Sequence, residues 1–309
     1  MVDVAIIGAG PVGLFAVFQC GMLGLSCAVF DAQSHIGGQC VTLYPEKPIY
    51  DIPAYPKIMA GELVNQLQAQ AAPFKPEYYL GQQVRMITQR IDGKWILHTQ
   101  KDQQFLAGVI IIAGGAGAFG PNRPPLIGLD DYEDVSVFYA VPERQKFAGK
   151  KLVIAGGGDS AVDWAISLSD IAQSITLAHR RDKFKAAPAS LQQLQDLAAQ
   201  GRINLAVPQQ LHGLKGNPQT GQISHVVLQN LDGVESVVEA DALLAFYGLA
   251  TDLGPIATWG LNLQRQQVVV SPSNCATNVQ GIYCIGDMAS YDGKLKLILQ
   301  GFSDRKSVV

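Results

Sequence analysis

The chain has 309 residues, of which 48% are apolar and 16% charged, a globular composition that excludes an intrinsically disordered protein and favours two domains over one. Its 23 basic and 26 acidic residues leave a formal charge of −3, which gives no reason to expect nucleic-acid binding. The first apolar run begins at residue 2, which leaves no room for a secretory signal, and no uncharged apolar run reaches membrane-spanning length, so we expect a cytoplasmic protein outside the membrane.

The first predicted element is a buried strand that turns into a helix at a glycine motif. Four consecutive apolar residues run directly into glycines spaced GxGxxG, at Gly8, Gly10 and Gly13. Gly8 would permit the tight turn, Gly10 would let a pyrophosphate approach the backbone, and Gly13 would let helix and strand pack closely. The helix that begins around Pro11 and Val12 would direct free N–H groups at the phosphates. The pattern predicts a dinucleotide site.

The next strand supports this interpretation because it ends in an acidic residue. Residues 27–30 form an apolar β-type run that delivers Asp31 at the spacing expected of a carboxylate that accepts hydrogen bonds from a ribose. Further along we expect a helix over 61–71, a hairpin of 83–88 with 94–99, and a buried strand over 108–113.

The second half of the chain repeats this plan. A predicted strand runs into Gly156 and Gly158, and the permitted alanine, Ala161, stands at the third glycine position. Asp159 and Ser160 open the helix that follows. Two copies of one nucleotide-binding plan imply two nucleotides.

The acidic residue of the first copy has no counterpart in the second. At the same offset within the repeat, the position of Asp31 is taken by His179, with Arg180 and Arg181 directly after it. A carboxylate would repel a ribose 2′-phosphate, whereas guanidinium groups bind it by charge-assisted hydrogen bonds. If these three residues are considered without the repeat, the alternative interpretation is a solvent-exposed loop with no binding role. Because the repeat fixes its position, we predict that the second site prefers NADP.

The last part of the chain contains one more strand, 281–285, followed by Gly286 and Asp287. A strand ending in Gly-Asp can place a carboxylate against the hydroxyls of a ligand that lies across the sheet edge, although Gly-Asp alone would be an ordinary turn. We infer that the chain returns to complete its first domain.

Together these motifs resemble the thioredoxin-reductase-like flavoproteins with two dinucleotide-binding domains, over nearly the whole chain. Thioredoxin reductases carry a redox CxxC where this chain has Tyr139 and Pro142, and none of the five cysteines forms a CxxC, so we expect reduced, buried thiols and no metal site. The sequence instead resembles the ferredoxin–NADP reductases of this fold, through residues 43–47, 147–150, 156–165, 179–184, 253–256 and 291–294.

The resemblance implies an α/β protein with two Rossmann-like three-layer domains, each with a small antiparallel β-meander, the NADP domain being inserted in the FAD domain. The implied boundaries are 1–118 and 249–309 for FAD and 119–248 for NADP. Further FAD contacts are implied at Gln39, Tyr44, Val84, Phe119 and Asp287, with Tyr44 stacked on the isoalloxazine ring. Lys185 would join the arginines near the 2′-phosphate.

The implied activity passes hydride between NADPH and FAD and single electrons between FAD and ferredoxin or flavodoxin, with no catalytic side chain. The alternatives are a quinone or disulfide reductase of the same fold, or a protein that only binds its nucleotides. Family members form homodimers. Residues 303–309 depart from the family pattern, so we expect a shortened chain with weakened FAD retention and an impaired dimer.

Overall fold

The computed structural model describes residues 1–304, except the side chains of residues 118, 119 and 249–251. It divides into two compact units. The first unit comprises Met1–Phe119 together with the described residues from Thr251 onwards, and the second comprises Gly120–Ala250. Within residues 1–304, no helix has the length and apolar character needed to cross a bilayer.

The first unit is built on a seven-stranded mixed sheet. Its N-terminal segment contributes β1 (Val2–Ile7), α1 (Pro11–Met22), β2 (Cys27–Asp31), α2 (Gln39–Thr42), β3 (Pro48–Ile49), β4 (Ile58–Met59), α3 (Ala60–Ala71), β5 (Glu77–Leu80), β6 (Val84–Gln89), β7 (Trp95–Thr99), β8 (Gln104–Ile112) and β9 (Ala118–Pro121).

The parallel part of this sheet follows the order β5-β2-β1-β8. Ile6 of β1 pairs with Val29 on one side and Ile111 on the other, and all three side chains are at most 1% exposed. Burial on both faces explains why β1 and β8 are continuously apolar rather than alternating. The strand β7 extends the sheet antiparallel to β8, and β6 pairs antiparallel with β7.

Helices α1 and α3 pack on this unit for different sequence reasons. Proline at the first turn of α1 has no N–H to leave unsatisfied, and the helix is apolar around most of its surface. The helix α3 is amphipathic, with buried residues at the i, i+3, i+4 spacing that places Leu63, Val64 and Leu67 on one face.

The second unit has the same layered plan. It contains β10 (Val137–Phe138), β11 (Lys151–Ala155), α4 (Asp159–Leu168), β12 (Ser174–Ala178), α5 (Pro188–Ala199), β13 (Ile203–Ala206), β14 (Gln209–Asn217), β15 (Gln222–Asn230), β16 (Glu235–Glu239), β17 (Ala242–Ala245) and β18 (Leu249–Asp252). Its parallel sheet has the order β10-β17-β11-β12-β13, and β14-β15-β16 form a separate antiparallel meander. The pair β9-β18 forms a short ribbon where the chain passes between the units.

The returning segment completes the first unit. It contributes β19 (Leu263–Gln264), β20 (Gln267–Val269), β21 (Ile282–Cys284), β22 (Ala289–Ser290) and α6 (Ile298–Asp304). The strand β21 lies parallel to β8, with Cys284 opposite Ile112. The first unit therefore gains its last parallel strand from a segment far along the sequence.

The predicted α/β class with two Rossmann-like units is confirmed, while some elements differ from the prediction. The edge strand β5 was not predicted, because Glu77–Leu80 is short and only partly buried. The strand β14 was also not predicted, because register shifts at Leu211/Gly213 and Lys215/Gly216 interrupt its alternation. The meander of the first unit, β6-β7-β8, belongs to the main sheet rather than to a separate one.

Candidate functional site

The first glycine turn joins β1 to α1, and its three glycines have different surroundings. Gly8 has φ +114°, and a Cβ added there would lie 2.4 Å from the carbonyl oxygen of Ala113. A Cβ on Gly13 would lie 2.0 Å from the carbonyl oxygen of Gly8. Gly10 has nothing within 4 Å of an added Cβ, so the backbone at the start of α1 is open to an approaching ligand.

Asp31 stands at the end of β2 and is bound to this turn. Its two carboxylate oxygens accept hydrogen bonds from the backbone N–H groups of Ala9, at 2.7 Å, and Gln33, at 2.8 Å. Each carboxylate oxygen has a second lone pair that can still accept a hydroxyl. Asp31 therefore orders the glycine turn and keeps acceptor capacity towards a ligand.

A short loop and helix, Gly37 to Tyr44, form one wall of the site. Gly37 and Gly38 both have positive φ, which brings the backbone at Gly38 against Gly10 before α2 begins. Burial raises the pKa of Tyr44 above its ordinary value and raises the pKa of the nearby Cys40 thiol to about 11. Both groups are therefore neutral at physiological pH.

The opposite wall is the turn that follows β21. Gly286–Met288 form a single 3₁₀ turn, and Asp287 is partly buried within it. Burial raises the pKa of Asp287; the positive charges of Lys294 and Lys296 act against that shift, and Asp304 adds to it. Among the described residues nothing donates a hydrogen bond to this carboxylate. It is a partly buried acceptor that is available to a donor group of a ligand in the cavity.

These walls enclose a cavity of about 370 Å³ at the carboxyl edge of the parallel sheet. Parallel strands end at a common edge, which is why distant segments meet here. The predicted contacts that line it are Gly8, Gly10, Pro11, Val12, Asp31, Gln39, Tyr44, Val84 and Asp287. Gly13 lies beneath the turn rather than in the lining, and the side chain of Phe119 lies outside the described residues.

Several lining residues were not predicted as site residues. The backbone at Gly114, Gly115 and Gly117 lies along the cavity, as do Leu253, Pro255, Ile256 and Met288. The glycines could have been recognised from their position directly after the buried strand β8. The apolar residues around 253–256 carry no local signal of a ligand, since they reach the cavity only when the chain returns.

The second glycine turn repeats the first with one substitution. Gly156 has φ +153°, and a Cβ there would lie 2.6 Å from the carbonyl oxygen of Phe246. Gly158, which begins α4, is open like Gly10. At the third position Ala161 is completely buried, so this turn accommodates a methyl group where the first does not.

His179 follows β12 and packs against the second turn. Its ring lies 5.3 Å from the ring of Phe184 and fills the space that a Cβ on Gly157 would need. Burial lowers the pKa of His179, and the positive charges of Arg181 and Arg180 lower it further. The imidazole is therefore neutral at physiological pH, and the fixed positive charges of this loop are guanidinium groups.

The second cleft measures about 1060 Å³ and gathers most of the predicted residues. Gly156, Gly158, His179, Arg180, Arg181 and Lys185 line it. Arg180, Arg181 and Lys185 are exposed, and the Lys185 backbone N–H donates to the Gly157 carbonyl at 2.6 Å.

Three predicted residues stand away from this cleft: Asp159, Ser160 and Ala161 are not in its lining. Asp159 instead accepts a hydrogen bond from the Ala187 backbone N–H at 3.0 Å. The wall formed by the first half of β14, from Gln209 to Leu214, was not predicted because that strand was not predicted.

Comparisons with known proteins agree with this architecture. The model of the family described as pyridine nucleotide-disulphide oxidoreductase matches residues 2–303. The ferredoxin–NADP reductase of Rickettsia canadensis is 56% identical over 305 residues, covering 99% of this chain and 90% of that protein. The ferredoxin–NADP reductase of Paramagnetospirillum magneticum is 53% identical over 306 residues, again covering 99% and 90%.

Among solved structures, Lactococcus lactis thioredoxin reductase superposes with a TM-score of 0.83 at 25% identity, covering 98% of this chain and 95% of that one. The thioredoxin reductase of T. acidophilum gives a TM-score of 0.84 at 24% identity, over 98% and 94%, a likeness of fold. By its family match and its close relatives, the chain belongs to the pyridine nucleotide-disulphide oxidoreductase family and, within it, to the ferredoxin–NADP reductases.

Proposed function

We propose that this chain is an NADPH-dependent flavoprotein reductase that exchanges single electrons with a ferredoxin or a flavodoxin. The observation that carries the proposal is the contrast between two equivalent strand ends. Asp31 ends β2 beside one glycine turn, and His179, Arg180 and Arg181 follow β12 beside the other. The first arrangement suits a ribose with free hydroxyls, and the second suits a ribose 2′-phosphate.

The cavity of the first unit fits FAD by the chemistry of its lining. The backbone at Gly10 is open, and the twelve-residue helix α1 begins there, so its first N–H groups suit a pyrophosphate. Asp31 retains lone pairs for ribose hydroxyls. The unpartnered Asp287 carboxylate suits the hydroxyls of the ribityl chain, and Tyr44 offers a neutral ring for stacking. We therefore assign this unit to FAD.

The second unit fits NADP. The open backbone at Gly158 starts the ten-residue helix α4 and again suits a pyrophosphate. Arg180, Arg181 and Lys185 place three cations along one side of the cleft, where a 2′-phosphate would lie. We assign residues 120–250 to NADP on this basis.

The redox chemistry belongs to the bound cofactors, a hydride exchanged with NADP and single electrons exchanged with the protein partner, and requires no nucleophilic side chain. The protein holds the nucleotides in place. The high pKa values of Tyr44 and Cys40 mean that neither adds a negative charge beside the flavin at neutral pH. The chain has no CxxC, so a dithiol relay of that kind is not expected.

Anaerobic titration of the FAD-loaded protein with NADPH tests the activity. We expect the visible flavin absorbance to bleach and to return when oxidised ferredoxin is added. Absence of bleaching would contradict the activity and favour a protein that only binds nucleotides. Faster turnover with an aromatic disulfide or a quinone than with ferredoxin or flavodoxin would favour the other reductases of this fold.

The nucleotide preference is tested with Arg180→Ala and Arg181→Ala. Each removes a charged hydrogen-bond donor worth about 1.5–3 kcal/mol, so the KM for NADPH should rise about 10- to 100-fold while the KM for NADH stays the same. Lys183→Ala is the matched control, because Lys183 is exposed in the same loop and does not line the cleft. If all three substitutions raised the KM for NADPH equally, the overall positive charge of the loop, and not specific contacts of Arg180 and Arg181, would explain the preference for NADPH.

We also propose a homodimer in the cytoplasm. Three leucines, Leu295, Leu297 and Leu299, alternate along one exposed stretch and are 59%, 43% and 38% exposed, which favours burial against a second copy. The five cysteines are free and buried, as suits a reducing compartment. Light scattering over a range of protein concentrations tests the dimer, and a mass of one chain at all of them would contradict it.

A further inference from the structure

A buried polar cluster lies at the end of α6, outside the lining of the first cavity. Its centre is Asp304, whose side chain is 1% exposed and forms an ion pair with the equally buried ammonium of Lys294. The hydroxyl of Tyr291 donates to the other carboxylate oxygen at 2.5 Å. Burial and this hydrogen bond raise the pKa of Tyr291 to about 12, so the hydroxyl remains a donor at neutral pH.

The third donor connects this cluster to the cofactor cavity. The backbone N–H of Gly286 donates to Asp304 at 2.9 Å, and Gly286 immediately precedes Asp287. The same turn is held from its other end by Gln267, whose amide donates to the Asp287 carbonyl at 2.7 Å and to the Ala289 carbonyl at 3.3 Å. Two side chains from distant segments therefore fix the backbone on both sides of Asp287.

The position of Asp304 is itself constrained by close packing of α6. A Cβ added to Gly301 would lie 2.5 Å from Val12 and 3.3 Å from the Cα of Gly286, so α6 lies directly on the first turn of α1 and on the turn that follows β21. Asp304, Lys294 and Tyr291 do not line the cavity. The charges of Lys294 and Asp304 act on Asp287 directly, and the contact of this cluster with the cavity wall is the hydrogen bond to the backbone of the turn.

Energetics argue against a purely stabilising role. Removing two charges from water costs several kcal/mol, and a buried ion pair recovers this only with good geometry and added hydrogen bonds. Such pairs are weak evidence for stability, and in some proteins they specify one conformation instead. In this protein the Asp304 carboxylate accepts a hydrogen bond from the N–H of Gly286, which is next to Asp287 in the chain. Asp287 is the cavity carboxylate that has no hydrogen-bond donor among the described residues.

We propose that Asp304 is a positioning residue for the cofactor, which holds Gly286 so that the Asp287 carboxylate faces the ribityl hydroxyls of FAD. This inference rests on the proposed binding of FAD in the first unit. Lys294 and Tyr291 hold the Asp304 carboxylate in a single orientation, and Gln267 holds the other side of the turn.

The test is FAD binding by the apoprotein, followed by flavin fluorescence. Asp304→Asn keeps the size of the side chain but removes the charge and leaves Lys294 without its partner. We expect the FAD dissociation constant to rise about 10- to 100-fold, the loss of one hydrogen bond to a charged group. The visible circular dichroism of the bound flavin should also change, because Asp287 no longer has a fixed orientation.

Two controls separate positioning from stability. Ser303→Ala alters the neighbouring exposed residue, whose hydroxyl donates to the Gln300 carbonyl and to no other group within residues 1–304, and should leave FAD binding unchanged. Leu97→Ala removes a fully buried side chain of β7 that does not line the cavity, and it should lower the Tm of the apoprotein with a much smaller effect on FAD affinity. Equal FAD losses in Asp304→Asn and Leu97→Ala at equal Tm would overturn the inference.

The remaining outcomes distinguish failure of the proposed function from failure of this inference alone. If the wild-type protein binds no FAD, the proposed function fails and the inference fails with it. If the wild-type protein binds FAD and Asp304→Asn binds it equally well, only the inference is overturned. Should Asp304→Asn not fold, Tyr291→Phe removes a single donor from the same carboxylate. We then expect a smaller but measurable loss of affinity with the same spectral change, and unchanged binding would overturn the inference.

Discussion

At the scale of single residues, the two carboxylates of the first cavity differ in how they are satisfied. Asp31 accepts two backbone N–H groups, so its charge is compensated before any ligand arrives. Asp287 is partly buried with no donor among the described residues, and burial raises its pKa. Asp31 therefore stabilises the fold of the glycine turn. Asp287 lowers the stability of the apoprotein when it is ionised, and its carboxylate is available to bind a ligand.

This contrast gives a prediction for Asp287→Asn. Because the folded-state pKa is raised above the ordinary value of 3.8, the neutral form is favoured by folding, and that stability is lost as pH rises through the folded pKa. The substitution should therefore stabilise the apoprotein at pH 7 and have little effect near pH 3. It should weaken FAD binding about 10- to 100-fold.

Urea unfolding of both apoproteins at the two pH values measures the first effect, and flavin fluorescence measures the second. Asp31→Asn is the comparison. It disturbs two backbone hydrogen bonds, so it should lower apoprotein stability where Asp287→Asn raises it. Lower stability of Asp287→Asn at pH 7 would contradict the assignment of Asp287 as an uncompensated buried carboxylate.

At the scale of elements, the glycines of the strand–turn–helix units have two different roles. At some positions a Cβ would clash with the backbone, and at others the glycine leaves the backbone open to a ligand. Gly13 has no room for a Cβ beside the Gly8 carbonyl, while Gly10 has open space. Gly13→Ala should therefore destabilise the apoprotein by about 3 kcal/mol through overpacking. Gly10→Ala should leave its Tm nearly unchanged but weaken FAD binding, since the new methyl group projects towards the ligand.

Thermal unfolding and FAD titration of these two variants form one experiment with opposite expected outcomes. Ala161→Gly in the second turn is a further control, because that position already holds a methyl group and its loss should cost little more than the flexibility of glycine. A stable Gly13→Ala variant would mean that the first turn can relax in the way the second does.

The glycine turns also show how much of the two sites can be predicted from the sequence. Each turn was predictable because a continuous apolar strand, a fixed glycine spacing and a charged strand end are all local features. The residues around 253–256 and the first half of β14 line the two clefts without any local signal. Their contribution follows from chain topology and from a strand interrupted by bulges, neither of which is encoded in a short window.

The Asp304 cluster was likewise beyond sequence reasoning. Residues 303–309 were interpreted only as a departure from the family pattern, yet Asp304 ends α6 with its side chain buried against Lys294. A single acidic residue in a polar stretch is normally exposed. Only the packing of α6 against Val12 and Gly286 reveals the role of this side chain.

At the scale of the whole molecule, the parallel sheets of the two units have the same strand order. One of the corresponding strands, however, comes from a different part of the sequence in each unit. In the first unit β21 pairs with β8, and it comes from the segment after the second unit. In the second unit the corresponding strand, β10, pairs with β17 and precedes the rest of its sheet in the chain. The second unit is therefore continuous in sequence, and the first is not.

This difference predicts how fragments behave. Residues 120–250 contain every strand of their own parallel sheet, so this fragment should unfold cooperatively and bind NADP by itself. Residues 1–119 lack β21 and α6, which leaves Ile110–Ile112 at the end of β8 without their partner strand, and this fragment should not unfold cooperatively. Urea unfolding and isothermal titration with NADP test both; a cooperative 1–119 fragment would show that the returning segment is dispensable.

The late arrival of β21 has a consequence for synthesis of the chain on the ribosome. The second unit can complete its sheet soon after residue 245 emerges, whereas in the first unit Ile110–Ile112 at the end of β8 stay without their partner strand until residues 282–284 follow. Unpaired apolar edges are sites of aggregation. We therefore expect the nascent chain to be most prone to aggregation after β8 has been made and before β21 has been made.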